Sequence, residues 1–269
     1  MKSVCTGGEK VAEFESYDEL RIGDSKPAFI YEGNELVYPN PVKDGLVLWY
    51  DFSGRTNADS QRGIAEDLSG NGNHGTLQNF NFTPESGYDK NKLLFDGVDD
   101  EVKSNFNLPT SCTYEVTFKY FNYGVWGSPI SSLGKLNPSE GFAITPRATG
   151  IVISGGDGAG RYTHLFFYMD ALPFDEWTTI SVSYDNEAFY LYVNGDYISS
   201  HPYELHQSST IILGRWNEST QGDYFFSGEI KSAKIYNRPL TPEEITHNYE
   251  IEKSVSASNK TTILQEVTL

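Results

Sequence analysis

The sequence predicts an all-β protein, a two-sheet antiparallel jelly-roll sandwich with one short C-terminal helix. Three observations carry this expectation. Residues alternate with period two over Thr113–Tyr120 and again over 179–184, which is the pattern of strands with one face against a core. Short clusters of Gly, Asn and Asp separate such runs, Asn194-Gly195 among them, a pair suited to a two-residue hairpin turn because both residues accept φ > 0. Only one stretch, beginning at Thr241, carries helix signals.

In chain order, residues 1–24 are charged and weakly patterned and read as a mobile or partner-ordered arm. Phe29–Tyr38 reads as two short strands around a Glu-Gly-Asn turn, and Pro39-Asn40-Pro41 then punctuates the chain. This divides the sequence into an N-terminal arm and hairpin over 1–44, a sandwich over 45–253, and a linker and tail over 254–269. Within the sandwich, Tyr114, Val116, Phe118 and Tyr120 share one face, opposite Thr113, Glu115, Thr117 and Lys119. Ile180, Val182 and Tyr184 face inward likewise. Trp49 and Trp177, in strand contexts, are assigned to the core. Thr241 is the expected N-cap, with Pro242 at the first helical position and Glu244 closing a capping box. Ile245, Asn248 and Tyr249 then fall on one side of the helix. The run after Lys253, Ser-Val-Ser-Ala-Ser-Asn, reads as linker.

With 269 residues the chain is long enough to bury a core without a disulfide or metal. Its net charge of −17 argues against nucleic acid and against electrostatic binding to anionic membranes. Cys5 and Cys112 make no disulfide framework and read as free thiols. No signal peptide is expected at the N-terminus, and no stretch is apolar enough to span a bilayer, so membrane insertion is not expected.

The sequence offers residues for three kinds of chemistry. In Asp67–Gly75, glycines and short polar residues force a tight loop that can turn carbonyl oxygens inward, beside the Asp67 carboxylate and the Asn71 and Asn73 amides. Oxygen ligands of this kind suit a structural Ca²⁺; the alternative is a turn held by its own hydrogen bonds. Asp96, Asp99 and Asp100 form a second acidic cluster, with Asp96 read as a cap for backbone N–H groups and the other two as solvated. Catalysis has no support: there is no Glu-x-Asp-x-x-Glu strand, Gly-x-Ser-x-Gly elbow or His-Glu-x-x-His, so no enzyme is expected. Carbohydrate is the third. Aromatics make up 14% of the chain, and flat rings stack on the C–H faces of sugars. The candidates are Tyr123, Trp126, Arg161, Tyr162, Arg215 and Trp216, each of which could instead pack over a sheet edge.

The order of these pieces resembles the laminin-G-like and pentraxin-like modules of the concanavalin A-like lectin/glucanase superfamily. The pieces are Gly45–Phe52, Asp67–Gly75, Leu94–Asp100, the hairpin through Gly195, Ile211–Gly214, Phe226–Ile230 and Lys234–Ile245. That resemblance implies the sandwich. It also implies a calcium at the Asp67 loop helped by an acid on the closing strand, for which Glu229 is the candidate. Where many relatives carry Asp-Asp, this chain has Lys231-Ser232. The lead-in Phe29–Pro41 and the start Leu48–Gly54 also resemble minor structural proteins of tailed bacteriophages. This second resemblance implies a virion surface protein, a head fibre, decoration or tail appendage, present in many copies. Residues 1–44 would join it to other virion proteins and its sandwich would bind host-surface glycan.

Overall fold

The computed structural model describes residues 2–6, 9–14, 30–32 and 35–38 as backbone. It also describes residues 41–257, except 90, 122–125, 134–139, 170–171, 173–174, 207 and 218–223. The chain divides into two compact units, one of Met1–Lys43 with His247–Leu269 and one of Asp44–Thr246.

In the first unit, Lys2–Thr6 (β1) and Glu9–Phe14 (β2) pair antiparallel, so the region read as an arm holds a hairpin. Ile30–Glu32 (β3) and Glu35–Tyr38 (β4) form the second hairpin, at the position the turn signal marked.

The second unit is a sandwich of two antiparallel sheets. Its strands are Leu46–Asp51 (β5), Ile64–Ala65 (β6), Gly75–Gln78 (β7), Gly87–Tyr88 (β8), Leu93–Asp96 (β9), Glu101–Asn105 (β10), Cys112–Tyr120 (β11) and Ile130–Ser131 (β12). Phe142–Arg147 (β13), Gly150–Gly156 (β14), Tyr162–Tyr168 (β15), Thr178–Tyr184 (β16), Ala188–Val193 (β17), Asp196–Pro202 (β18), Thr210–Leu213 (β19) and Ser227–Tyr236 (β20) follow. One sheet runs β15-β14-β13-β12-β19-β10-β7-β6, and the other runs β18-β17-β16-β11-β20-β9-β8 with β5 also paired to β20.

Period-two alternation builds the core between the sheets. Tyr114, Val116, Phe118 and Tyr120 on β11 meet Phe142 and Ile144 on β13, Ile151 and Ile153 on β14, and Ile211 and Leu213 on β19. Asn194 and Gly195 sit at φ 52° and 84°, the left-handed pair that the hairpin between β17 and β18 requires.

Three expectations are corrected here. The second face of β11 is not half-solvated: Thr113, Glu115 and Thr117 are all buried. The approach to the helix contributes to this, since Thr113 Oγ1 donates to the carbonyl of Arg238 and accepts from the N–H of Leu240. Trp177 is only half-buried, at the edge of β16, with Lys119 over its ring at 5.2 Å. The helix, Pro242–Ala257 (α1), continues into the stretch read as linker. Its start is capped as expected: Glu244 N–H donates to Thr241 Oγ1 at 3.3 Å, and Thr241 N–H donates to Glu244 Oε2 at 2.9 Å.

Candidate functional site

The Asp67 loop is organised by its carboxylate. Oδ1 accepts from the N–H groups of Trp49 (2.9 Å) and Ser69 (3.0 Å). Oδ2 accepts from the Ser69 hydroxyl (2.9 Å) and the Asn73 N–H (2.9 Å). Both oxygens thus already hold two donors. The amides of Asn71 and Asn73 donate to the carbonyls of Leu46 and Val47, and the Asn73 carbonyl accepts from Tyr50 and Ser104. Glu229 does not reach this loop. Trp49, which holds Asp67, pairs with Lys234, while Glu229 pairs with Leu94 and ties its carboxylate to Lys92. The separation along β20 is roughly 16 Å at about 3.3 Å per residue. The donor set therefore does not fit a calcium ion: the Asp67 carboxylate is taken up by four donors, the Asn71 and Asn73 amides are turned to backbone carbonyls, and Glu229 lies elsewhere.

Among the described residues, the group of acids that could share an ion is Asp96, Asp99 and Asp100, whose oxygens lie within 4.8 Å of one another. Asp96 caps the N–H of Val98 as expected. Asp100 is not solvated but fully buried, accepting from Ser86 Oγ and the Asp96 N–H. Burial pushes its pKa up to about 6, against the opposing pull of the Asp96 N–H.

The aromatic candidates converge on the face of β13–β15 turned away from the core. Pairing places Tyr162, His164, Phe166 and Tyr168 of β15 opposite Gly156, Ser154, Val152 and Gly150 of β14. Ala143, Thr145 and Arg147 of β13 continue the same rows. Trp216 closes one end because its N–H donates to the Tyr224 carbonyl, and its own carbonyl accepts from Ser131 Oγ at 2.6 Å. Trp126 lies against His164 with centroids 5.0 Å apart and against Trp216 at 5.9 Å. Tyr162 meets Trp216 edge-on at 5.0 Å. Arg147 places its guanidinium 4.4 Å from the centre of the Trp126 ring. Phe166 and Tyr168 follow along β15, rings 6.0 Å apart and within 16° of parallel, 45% and 76% exposed.

Electrostatics here are muted. Burial pushes the His164 imidazole below its usual pKa, which favours the neutral ring at pH 7, and Nδ1 lies 2.8 Å from Ser154 Oγ. Burial pushes Tyr162 up, partly offset by a hydrogen bond with Asn217. Two polar atoms on this side, Thr145 Oγ1 and Trp216 Nε1, are buried without a hydrogen-bond partner.

Of the six sequence candidates, the structure brings Trp126, Tyr162 and Trp216 together. It separates Arg215, which pairs with Glu101 at 3.0 Å and lies over Phe225. Arg161 is exposed, its N–H on Asp157. Tyr123 lies outside the described residues. Sequence reasoning missed Phe166 and Tyr168 as site residues. The signal was present, since every second residue from Tyr162 to Tyr168 carries a ring.

A family model described as the concanavalin A-like lectin/glucanases superfamily matches residues 95–246, more than half of the chain. Solved structures share the fold at low identity. Domain 4 of AbnA, a GH43 extracellular arabinanase from Geobacillus stearothermophilus in complex with arabinotriose, aligns at TM-score 0.57 and 20% identity over 76% of this chain and 98% of that one. The botulinum neurotoxin serotype D binding domain aligns at TM-score 0.57 and 18% identity over 78% of this chain and 52% of that one. Trypanosoma rangeli sialidase in complex with sialic acid aligns at TM-score 0.57 and 13% identity, over 78% and 33%. The chain thus spans nearly all of the arabinanase domain, half of the toxin domain and a third of the sialidase. No curated protein matches by sequence.

Proposed function

The chain belongs to the concanavalin A-like lectin/glucanase superfamily, and from that premise we propose that it is a non-catalytic carbohydrate-binding protein. The observation that carries this reading is the gathering of Trp126, Tyr162, His164 and Trp216 on one sheet face, continued by the exposed rings of Phe166 and Tyr168. Aromatic faces stack on sugar C–H surfaces, and the polar groups among them take up hydroxyls. Catalysis is disfavoured by composition: β13, β14 and β15 contain no Asp or Glu, whereas glycoside hydrolysis ordinarily uses two facing carboxylates.

The finer reading is a virion surface protein, carried in many copies and bound through residues 1–44 to other virion proteins, whose sandwich engages host-surface glycan. Weak single sites then suffice, since multivalency raises apparent affinity by roughly 10²–10⁴. The resemblance of the lead-in segments supports this reading. Screening the full chain on a glycan array tests the binding function, with Trp126→Ala as the comparison. Binding that falls by roughly tenfold, about 1.4 kcal/mol, is expected. Silence across the array would leave a protein–protein module as the better account. Cryo-electron microscopy of particles from the producing strain tests the location.

A further inference from the structure

We infer that the aromatic face binds an extended, uncharged oligosaccharide lying along β15 across at least three sugars, rather than a single terminal sugar. This rests on the carbohydrate-binding reading and adds the class of glycan. Three observations lead there.

First, the rings form a line. Tyr162, His164, Phe166 and Tyr168 point to one side of one strand, so the row spans roughly 20 Å at about 3.3 Å per residue. That is several times the width of one sugar ring. Phe166 and Tyr168 form a near-parallel pair, centroids 6.0 Å apart, that carries the row on along the strand as an elongated strip. A terminal sugar needs only one or two rings; an elongated strip suits successive units of a linear chain.

Second, the row has a polar end. Beside Tyr162 and His164 lie Ser154 Oγ and the unpartnered, buried Trp216 Nε1. A buried donor without a partner costs free energy that a small rearrangement onto a sugar hydroxyl would recover. The other end, at Phe166 and Tyr168, offers two exposed rings. Hydrogen bonds at one end would set register while stacking along the rest adds affinity with each unit.

Third, the row lacks the charge an anionic glycan needs. Its strands carry one cation, Arg147, whose guanidinium already lies over Trp126, and the whole chain is at −17. Arg215, which could have made an anion site with it, is held by Glu101 instead.

The test is calorimetric titration of the full chain with cello-, malto-, xylo- and arabino-oligosaccharides of one to six sugars, beside an array holding charged glycans. In the series that binds, affinity is expected to rise at least tenfold from the monosaccharide to the tetrasaccharide and then level off. Tyr168→Ala should lower that ratio at least threefold; Tyr197→Ala, an exposed ring on β18 of the other sheet, should leave it unchanged. Equal affinity for one and four sugars, or binding confined to charged glycans, would overturn the inference and leave the carbohydrate-binding reading standing. Binding to no glycan would overturn both. Self-association abolished by Tyr168→Ala, with no length dependence, would reassign the strip to contact with a second copy.

Discussion

At the scale of single residues, two aspartates show how burial decides what a carboxylate does. Asp67 is 6% exposed and spends all its acceptor capacity on four donors, three in its own loop and one, the N–H of Trp49, on β5. Removing it orphans the buried N–H of Trp49 and frees the loop, so Asp67→Ala should lower stability by about 3 kcal/mol in chemical denaturation. Because those oxygens are taken, millimolar calcium and chelator should give the same melting temperature. A rise with calcium that disappears in Asp67→Ala would restore the ion to this loop. Asp100 has two partners rather than four and a pKa raised from 3.8 to about 6. The folded state therefore holds its proton more tightly than the unfolded chain. The contribution of this group to stability is full below pH 3.8 and is lost as pH rises through about 6. The stability of the wild type minus that of Asp100→Asn should fall by up to about 3 kcal/mol between pH 3.5 and pH 7. A difference that stays flat across that range would refute it.

At the scale of elements, the helix start and the ring-bearing edge strand behave differently. The capping box of α1 is local chemistry, legible in Thr241-Pro242-Glu243-Glu244. Tertiary structure adds a partner, since both Glu244 oxygens also accept from Arg238 at 2.7 Å and hold its carboxyl below the usual range. Thr241→Ala should cost about 1 kcal/mol, read from the shift in denaturation midpoint. No loss would mean that the Arg238 pairing alone secures the first turn. β15 had a pattern as clear as that of β11, yet its meaning depended on position. Rings on alternate residues of an inner strand would be core on one side. At the end of its sheet, only the Leu165 and Phe167 side packs inward and the other lies open.

At the scale of the whole molecule, the sandwich is held by rings that cross between its sheets. Phe142 of β13 meets Tyr114 of β11 at 4.4 Å and Phe189 of β17 at 5.0 Å. Fully buried, it touches strands drawn from distant parts of the chain. Phe142→Ala should therefore cost about 3–5 kcal/mol, measured by equilibrium unfolding. A loss below about 1 kcal/mol would mean that the two sheets do not depend on this contact. The all-β class, the inward faces of β11 and β16, the Asn194-Gly195 turn and the start of α1 were determined by the sequence alone. Each depends on side-chain alternation or on backbone preferences within a few residues, and that information is contiguous in the chain. The meeting of Trp126, Tyr162, His164 and Trp216, the separation of Arg215 from them, the distance of Glu229 from Asp67 and the burial of Glu115 were decided only by tertiary structure. These depend on which strands lie side by side and in what register. β12 pairs with β19 across some eighty residues, and no local pattern specifies such a pairing. It is selected by the joint burial of both sheets, a property of the folded chain as a whole.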